Sequence, residues 1–241
     1  MVDLSERQRA LLKAIVEEYI ESAEPVGSEV IERKYDLRVS PATIRIEMGK
    51  LTEAGFLRQL HTSAGRTPTS LGFRVYIQEL MNEKQLPVTA EVSIKEKLWQ
   101  ERYKKERLLQ EAVKALADRC DMLGLATDNE GQIYFAGAAN ILDWPEFYDI
   151  DVTRFVLSLF DENPRLKEII GKAVGADPIH ILFGEELGFE DLRPTGFVFT
   201  RYEAEPKEGV VGVIGPARMN FAMVLPYIKY VRDLLVEAGR M

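Results

Sequence analysis

Between Ser5 and Ile20 the apolar residues Leu11, Leu12, Ile15, Val16, Tyr19 and Ile20 recur with a helical period, and Ser5 stands where a helix cap belongs. Glu24-Pro25-Val26-Gly27 ends that helix, because proline disfavours helix in the residue before it and has no backbone N–H to donate. Ser28 then caps a short helix over residues 29–35, with Val30, Ile31 and Tyr35 on its apolar side, and Asp36-Leu37-Arg38-Val39 makes a tight connection. Ser40-Pro41 opens a third helix, since serine at the cap and proline at the first helical position suit the unsatisfied amides there. Ile44, Met48 and Leu51 form its buried stripe, and Gly55 is placed to end it in a left-handed conformation. The opposite face shows Ala42, Thr43, Arg45, Ile46, Gly49 and Lys50. Small residues near the start permit close approach to a groove, and Arg45 and Lys50 supply positive charge.

Phe56 to Leu60 reads as a strand, and residues 61–69 as a polar loop with a return stroke. Arg66 follows Gly65 near the tip, where its reach is least obstructed. Thr69 or Ser70 caps a fourth helix containing Leu71, Phe73, Val75, Tyr76, Leu80 and Met81. Three helices, a hairpin and a closing helix make a winged helix-turn-helix, which sets its third helix in the major groove and its wing against the backbone or minor groove. Each part alone has a plainer reading, because three-helix units without DNA partners are common and a Gly-Arg turn is often only a turn. Their consecutive order points to DNA, with Ser40, Ala42, Thr43, Arg45, Ile46 and Lys50 on the helix and His61 and Arg66 on the wing as the contact residues.

Leu86-Pro87-Val88-Thr89 reads as a linker before one long connecting helix that extends to about Asp121. Leu109, Val113, Leu116, Cys120 and Leu123 are spaced 4, 3, 4 and 3 along it. That seam is too short for a coiled coil; it either packs on its own domain or serves as a dimer contact. Ala126 to Gln132 reads as a simple loop, and Gln132 to Ala136 as a strand. Thr153 to Phe160 reads as a helix, and Asn163-Pro164 separates it from Leu166 to Val174. Ile179 to Phe183, Gly196 to Tyr202 and Val210 to Ile214 are strand candidates, and Phe221 to Glu237 closes the chain as a helix. The expected organisation is α+β and multidomain: a DNA-binding domain over 1–82, a linker and the start of the connecting helix over 83–104, and a regulatory and dimerisation domain over 105–241.

Charge changes this picture only when counted by region. The 241 residues carry a net charge of −8, unpromising for a nucleic-acid binder. Between Arg33 and Arg74, however, eight basic residues stand against three acidic ones, a balance of +5 that leaves the rest of the chain at −13. Phosphate binding depends on that local field. No apolar run is long enough to span a membrane, and the first twenty residues carry charges throughout, unlike a signal peptide, so a cytoplasmic address is expected. One cysteine, Cys120, and two histidines leave almost no room for a disulfide or a Cys/His zinc site. Gly209, Gly212 and Gly215 recur every third residue without a phosphate-loop Gly-Lys-Ser/Thr. Glu185, Glu186, Glu190 and Asp191 read as a solvated loop rather than a metal site, and His180, between Ile179 and Ile181, as a core histidine. No catalytic set can be assembled, so neither an enzyme nor a cofactor is expected.

Leu4-Ser5-Glu6-Arg7-Gln8, Glu24-Pro25-Val26-Gly27-Ser28, Ser40-Pro41-Ala42-Thr43-Ile44-Arg45 and His61-Thr62-Ser63-Ala64-Gly65-Arg66 closely resemble the heat-inducible transcription repressor family, HrcA. A second signature, Gly212-Val213-Ile214-Gly215-Pro216-Ala217-Arg218-Met219 with Ala222 and Pro226, follows in the right order. The resemblance implies a homodimer that binds an inverted-repeat operator upstream of chaperone operons and represses them until heat stress. It also implies a chaperonin that maintains the active form, and a second domain with a GAF-like α/β fold carrying an inserted dimerising subdomain. Two departures stand out. Ile46 occupies a position where the family usually has asparagine, and isoleucine can offer a base only apolar contact, for example to a thymine methyl. The chain is also well short of a typical member, the gap falling between Leu125 and Ile133, so much of the inserted subdomain is expected to be missing. A different class of function, a ligand-responsive regulator whose C-terminal domain senses a small molecule, rests on fold analogy alone.

Overall fold

In the computed structural model, which describes residues 4–59, 61, 64–161, 163–173, 178–204 and 207–240, Ser5 starts the first helix with a reciprocal cap. Its hydroxyl accepts from the Gln8 backbone N–H while the Gln8 side chain accepts from the Ser5 N–H, which satisfies amides the helix leaves unpaired. Helix α1 runs Glu6–Ser22 and stops at Ala23, whose φ of 60° is left-handed. Helix α2 is Ser28–Lys34 and α3 is Pro41–Glu53. Ser28 is not the cap of α2; Gly27 holds that position in extended backbone with no side-chain cap bond, and Ser28 is the buried first helical residue. The cap of α3 is Ser40, whose hydroxyl accepts from the Thr43 N–H at 3.2 Å.

The expected strand over 56–60 pairs only through β1 (Leu57–Arg58), against β2 (Thr67–Pro68), in antiparallel register Leu57 with Pro68 and Arg58 with Thr67. Phe56 is excluded because its N–H returns to Leu51 and its carbonyl accepts from Thr69, while Leu60, Thr62 and Ser63 of the expected hairpin lie outside the described residues. Thr69 caps α4 (Ser70–Val75) by accepting from the Gly72 N–H at 3.1 Å, and a wider turn continues the helix over Tyr76–Leu80. Leu11, Leu12, Ile15 and Val16 of α1 are buried, as are Ile31, Ile44, Met48, Leu51, Phe56, Leu57 and Phe73. This unit, Met1–Asn82, therefore has a core of its own, and Glu83–Met241 forms a second compact unit.

In the second unit the single connecting helix is two helices, α5 (Val88–Gln100) and α6 (Lys105–Cys120). No glycine or proline marks the break at Glu101–Lys104. Local contacts hold it: the Arg102 guanidinium lies 4.3 Å from the Tyr103 ring centroid and donates to the Trp99 carbonyl, and the Lys104 N–H bonds to the Glu101 carbonyl at 2.9 Å. Five strands follow, β3 (Leu123–Thr127), β4 (Ile133–Ala136), β5 (Ile179–Phe183), β6 (Thr195–Ala204) and β7 (Lys207–Pro216), with α7 (Ile150–Asp161) and α8 (Asn163–Gly171) between β4 and β5 and α9 (Phe221–Gly239) at the end. They form one antiparallel sheet in the order β4-β3-β7-β6-β5.

Alternation sends successive side chains to opposite faces of that sheet. Leu123, Leu125, Phe197, Phe199, Val210 and Ile214 pack with Val152, Val156 and Leu159 of α7 and Leu166 and Ile169 of α8. The other face of β3 meets α6, where a Cβ on Gly124 would lie 2.3 Å from the Val113 carbonyl oxygen. Gly212 sits opposite both Leu125 and Phe199, and a Cβ there would lie 2.1 Å from the Val198 carbonyl oxygen. The glycine spacing of β7 thus serves close packing within the sheet.

The expected dimer seam does not survive this arrangement. Leu109, Val113, Leu116 and Cys120 are buried within their own unit, and Leu123 belongs to β3 and points to the opposite face from α6. The segment read as a loop from Ala126 instead completes β3 and turns tightly into β4. Asp128 closes that turn by accepting from the backbone N–H groups of Glu130 and Gln132 at 3.0 and 2.9 Å.

Candidate nucleic-acid interface

Burial of Ile44, Met48 and Leu51 on one side of α3 fixes what its other side presents. Ala42, Arg45, Ile46 and Lys50 are exposed there, with Ile46 at 61% of its full accessibility, a large apolar side chain left mostly in solvent. Thr43 and Gly49 are half-buried. Ser40 and Thr43 are tied together by a 3.0 Å contact between their hydroxyls, so they shape the start of the helix as well as facing outward.

Charge on this face is unevenly engaged. Lys50 donates to the buried Glu47 carboxylate at 2.9 Å, and Gln8 donates to the same group at 3.1 Å. The Lys50 contact holds the Glu47 carboxyl below the usual carboxylate range, against the opposing effect of burial. Arg45, by contrast, has no carboxylate within ion-pair distance among the described residues, and it is the more available cation. The Glu47–Lys50 spacing of three residues on a helix was legible in the sequence as a pairing distance.

Arg66 is the main correction. It was expected near an unobstructed tip, yet its backbone exchanges two hydrogen bonds with Val26, both 2.8 Å, and its side chain turns inward. Its Nε donates to the Thr52 hydroxyl at 3.1 Å and a terminal nitrogen to the Ala64 carbonyl at 3.3 Å. Partial burial, and then the neighbouring Arg45 charge, pull its pKa below the ordinary guanidinium value. Gly65 permits the close approach: a Cβ there would lie 2.6 Å from backbone atoms of Pro25 and Val26. His61 is exposed, and its carbonyl accepts from the Ala64 N–H at 2.9 Å.

These contacts enclose a cleft of about 320 Å³ lined by Val26, Gly27, Ser28, Arg45, Met48, Gln59, Ala64, Gly65 and Arg66. Arg45 and Arg66 are brought together on it; Ile46, Lys50 and His61 do not line it. Thr52 and Gln59 escaped the sequence reading because their roles depend on where the hairpin folds back, which no local pattern encodes.

In the second unit, the Arg218 of the C-terminal signature is buried and makes a two-pronged ion pair with Glu146 while lying 5.2 Å from the Trp144 ring centroid. His180 is buried with its ring 5.4 Å from that of Phe199. Cys120 is buried too, and burial pushes its thiol up to about 12. Among the described residues no group of three or more His, Cys, Asp or Glu side chains is placed to hold a metal ion, and no helix is long and apolar enough to cross a membrane.

Comparison with known proteins adds an independent line. A family model described as the HrcA protein C-terminal domain matches residues 71–225. Proteins named heat-inducible transcription repressor HrcA from Roseiflexus castenholzii and Clostridium tetani are 24% and 26% identical, over alignments of 342 and 338 residues that cover 98% of this chain and 95% of each relative. The same-named protein of Desulforudis audaxviator is 28% identical over 331 residues, covering 94% of this chain and 95% of its own. Those alignments are longer than the 241-residue chain, so each relative carries a stretch with no counterpart here. A crystal structure described only as a hypothetical protein, 20% identical and covering 98% of this chain and 99% of its own, shares the fold with a TM-score of 0.79.

Proposed function

The chain belongs to the HrcA family, and on that footing we propose that it is a heat-inducible transcription repressor whose first unit acts as a winged helix-turn-helix on duplex DNA. The observation that carries this reading is the outer face of α3, where Arg45 stands without a carboxylate partner among the described residues, beside the exposed Ile46 on a helix whose other side is buried. Ser40, Ala42, Thr43, Arg45, Ile46 and Lys50 enter the major groove. There Ile46 supports apolar contact with a thymine methyl, and Lys50, already shared with Glu47, contributes less than its formal charge. His61 serves the wing.

The functional division proposed with it is 1–82 for DNA, 83–104 as linker and start of the connecting segment, and 105–241 as the regulatory and dimerisation domain. The order β4-β3-β7-β6-β5, with helices on both faces, supports a GAF-like reading of that domain. The repressor acts as a homodimer on an inverted-repeat operator of chaperone operons, with a chaperonin maintaining its active form. Since the α6 stripe is consumed internally, the dimer contact lies elsewhere on the chain.

Selection of binding duplexes from a random library, followed by band shifts of the winner and a scrambled duplex at two temperatures, tests this function. Tight binding to an inverted repeat that is lost on heating and regained with chaperonin is the expected result. Equal affinity for both duplexes at both temperatures would contradict it.

A further inference from the structure

Several cations in the first unit are matched with carboxylates. Lys34 reaches Glu18 at 2.8 Å, Lys50 reaches Glu47 at 2.9 Å, and Arg9 pairs with Glu79. Arg45 and Arg66 are not: among the described residues neither has a carboxylate within ion-pair distance, and both line one cleft. The Arg66 guanidinium is steered by two neutral acceptors, the Thr52 hydroxyl and the Ala64 carbonyl. Those bonds fix where the charge sits without neutralising it.

Two like charges held together by the fold repel one another unless an anion comes between them. The cleft is also built rigidly. Gly65 packs on the Pro25–Val26 backbone and the Val26–Arg66 bridge pins the hairpin to the α1–α2 connection, so the Arg66 backbone is fixed and its guanidinium leaves the wall only by giving up the Thr52 and Ala64 bonds. A guanidinium offers several donors in a planar fork that matches phosphate oxygens.

We propose that the cleft between α2, α3 and the hairpin seats a single DNA-backbone phosphate, gripped by Arg66 from the wall and Arg45 from the mouth. This rests on the DNA-binding reading and deepens it. Arg66 becomes a positioning contact blind to sequence, which sets the depth and register of α3, and the base-reading task falls to the outer face of that helix. Held this way, the two arginines release counterions as one phosphate contact, not two.

The test uses the full chain, the selected duplex and its scrambled counterpart, titrated over a salt series with wild type, Arg66→Gln, Arg66→Lys, Arg45→Ala and the Arg45→Ala/Arg66→Gln double variant. Arg66→Gln lowers affinity for both duplexes by the same factor and reduces the salt slope by about 0.9, the value for one phosphate, and Arg66→Lys restores the slope. The double variant loses no more slope than Arg66→Gln alone. In a scan of single neutral methylphosphonate substitutions, one position per half-site weakens wild type but not Arg45→Ala, an arm that does not depend on how Arg66 variants fold. An unchanged slope in Arg66→Gln, a loss confined to the selected duplex, or additive slopes in the double variant would overturn the phosphate seat while leaving DNA binding intact. Failure of wild type to bind either duplex would instead remove the DNA-binding reading and the seat with it.

Discussion

Val26 and Arg66 exchange both of their backbone hydrogen bonds at 2.8 Å, although forty residues separate them in the chain. That bridge joins two segments that stand apart in the sequence, Glu24-Pro25-Val26-Gly27-Ser28 and Ala64-Gly65-Arg66. Each is short and rich in turn-forming residues, and neither has a helical or strand period to account for it. Together they stitch the hairpin to the α1–α2 connection and decide where the Arg66 side chain goes.

Replacing Gly65 with alanine should break that stitch. The new Cβ would sit 2.6 Å from backbone atoms of Pro25 and Val26, which cannot yield as a flexible side chain does. A loss of about 1–3 kcal/mol is expected from such overpacking, measured by urea unfolding. Gly49→Ala is the internal control, because nothing lies within 4 Å of its added Cβ and alanine is the better helix former. That variant should gain about 0.5–1 kcal/mol; a Gly65→Ala protein as stable as wild type would show that the hairpin is not pinned.

Ile46→Asn should alter base preference while leaving the fold alone. The side chain is 61% accessible, so the stability change should stay within about 0.5 kcal/mol. Both residues are neutral, so the salt dependence of DNA binding should be unchanged, and library selection should return a different base at one position of each half-site. Identical selected sequences for the two proteins would remove Ile46 from the contact surface.

Asp128 gives the second unit an acid-sensitive fastening. Burial works to raise its pKa, but Lys105, 3.0 Å away, and the backbone N–H groups of Gln132 and Glu130 outweigh that and hold the carboxyl below its ordinary value. A depressed folded pKa means that its contribution is fully present above the unfolded value of 3.8 and is lost as pH falls through the lower, folded one. Asp128→Asn should therefore lower the unfolding free energy from urea titration at neutral pH by about 1–3 kcal/mol, and flatten the loss of stability below about pH 4. A variant that loses stability with acid as steeply as wild type would place the sensitivity on other groups.

Cys120 should be inert in the native protein. Its thiol is buried, and burial pushes its pKa up to about 12, so almost no thiolate is present at neutral pH. Labelling with a thiol-reactive chromogen should be slow in buffer and rapid in denaturant. Rapid native labelling would mean that α6 opens far more readily than its packing implies.

How far the sequence could be read depends on where the information lies. Helices α1 and α3 were legible because an amphipathic period and a serine cap are local signals, and Ser5 and Ser40 both cap as their positions require. Strand β3 was not, because Leu123-Gly124-Leu125-Ala126 is buried on both faces and lacks the alternation that marks a half-exposed strand. The seam from Leu109 to Cys120 was visible as a stripe, but a stripe does not name its partner, and here the partner is the chain itself. The break between α5 and α6 is made by Arg102 packing on Trp99 and Tyr103, all helix-compatible residues. Arg66 was located on the correct hairpin but assigned the wrong reach, because the Val26 bridge and the Thr52 contact are tertiary.

The most direct test of the central claim is fluorescence anisotropy of the full chain on its selected duplex, comparing wild type with the Arg45→Ala/Lys50→Ala variant. Both side chains are exposed on α3, and Gln8 still donates to the Glu47 carboxylate when Lys50 is lost, so the variant should fold normally. A loss of affinity of at least tenfold and a shallower salt dependence are expected, with the unfolding midpoint close to that of wild type. Unchanged affinity in a fully folded variant would contradict the claim that α3 carries the DNA interface.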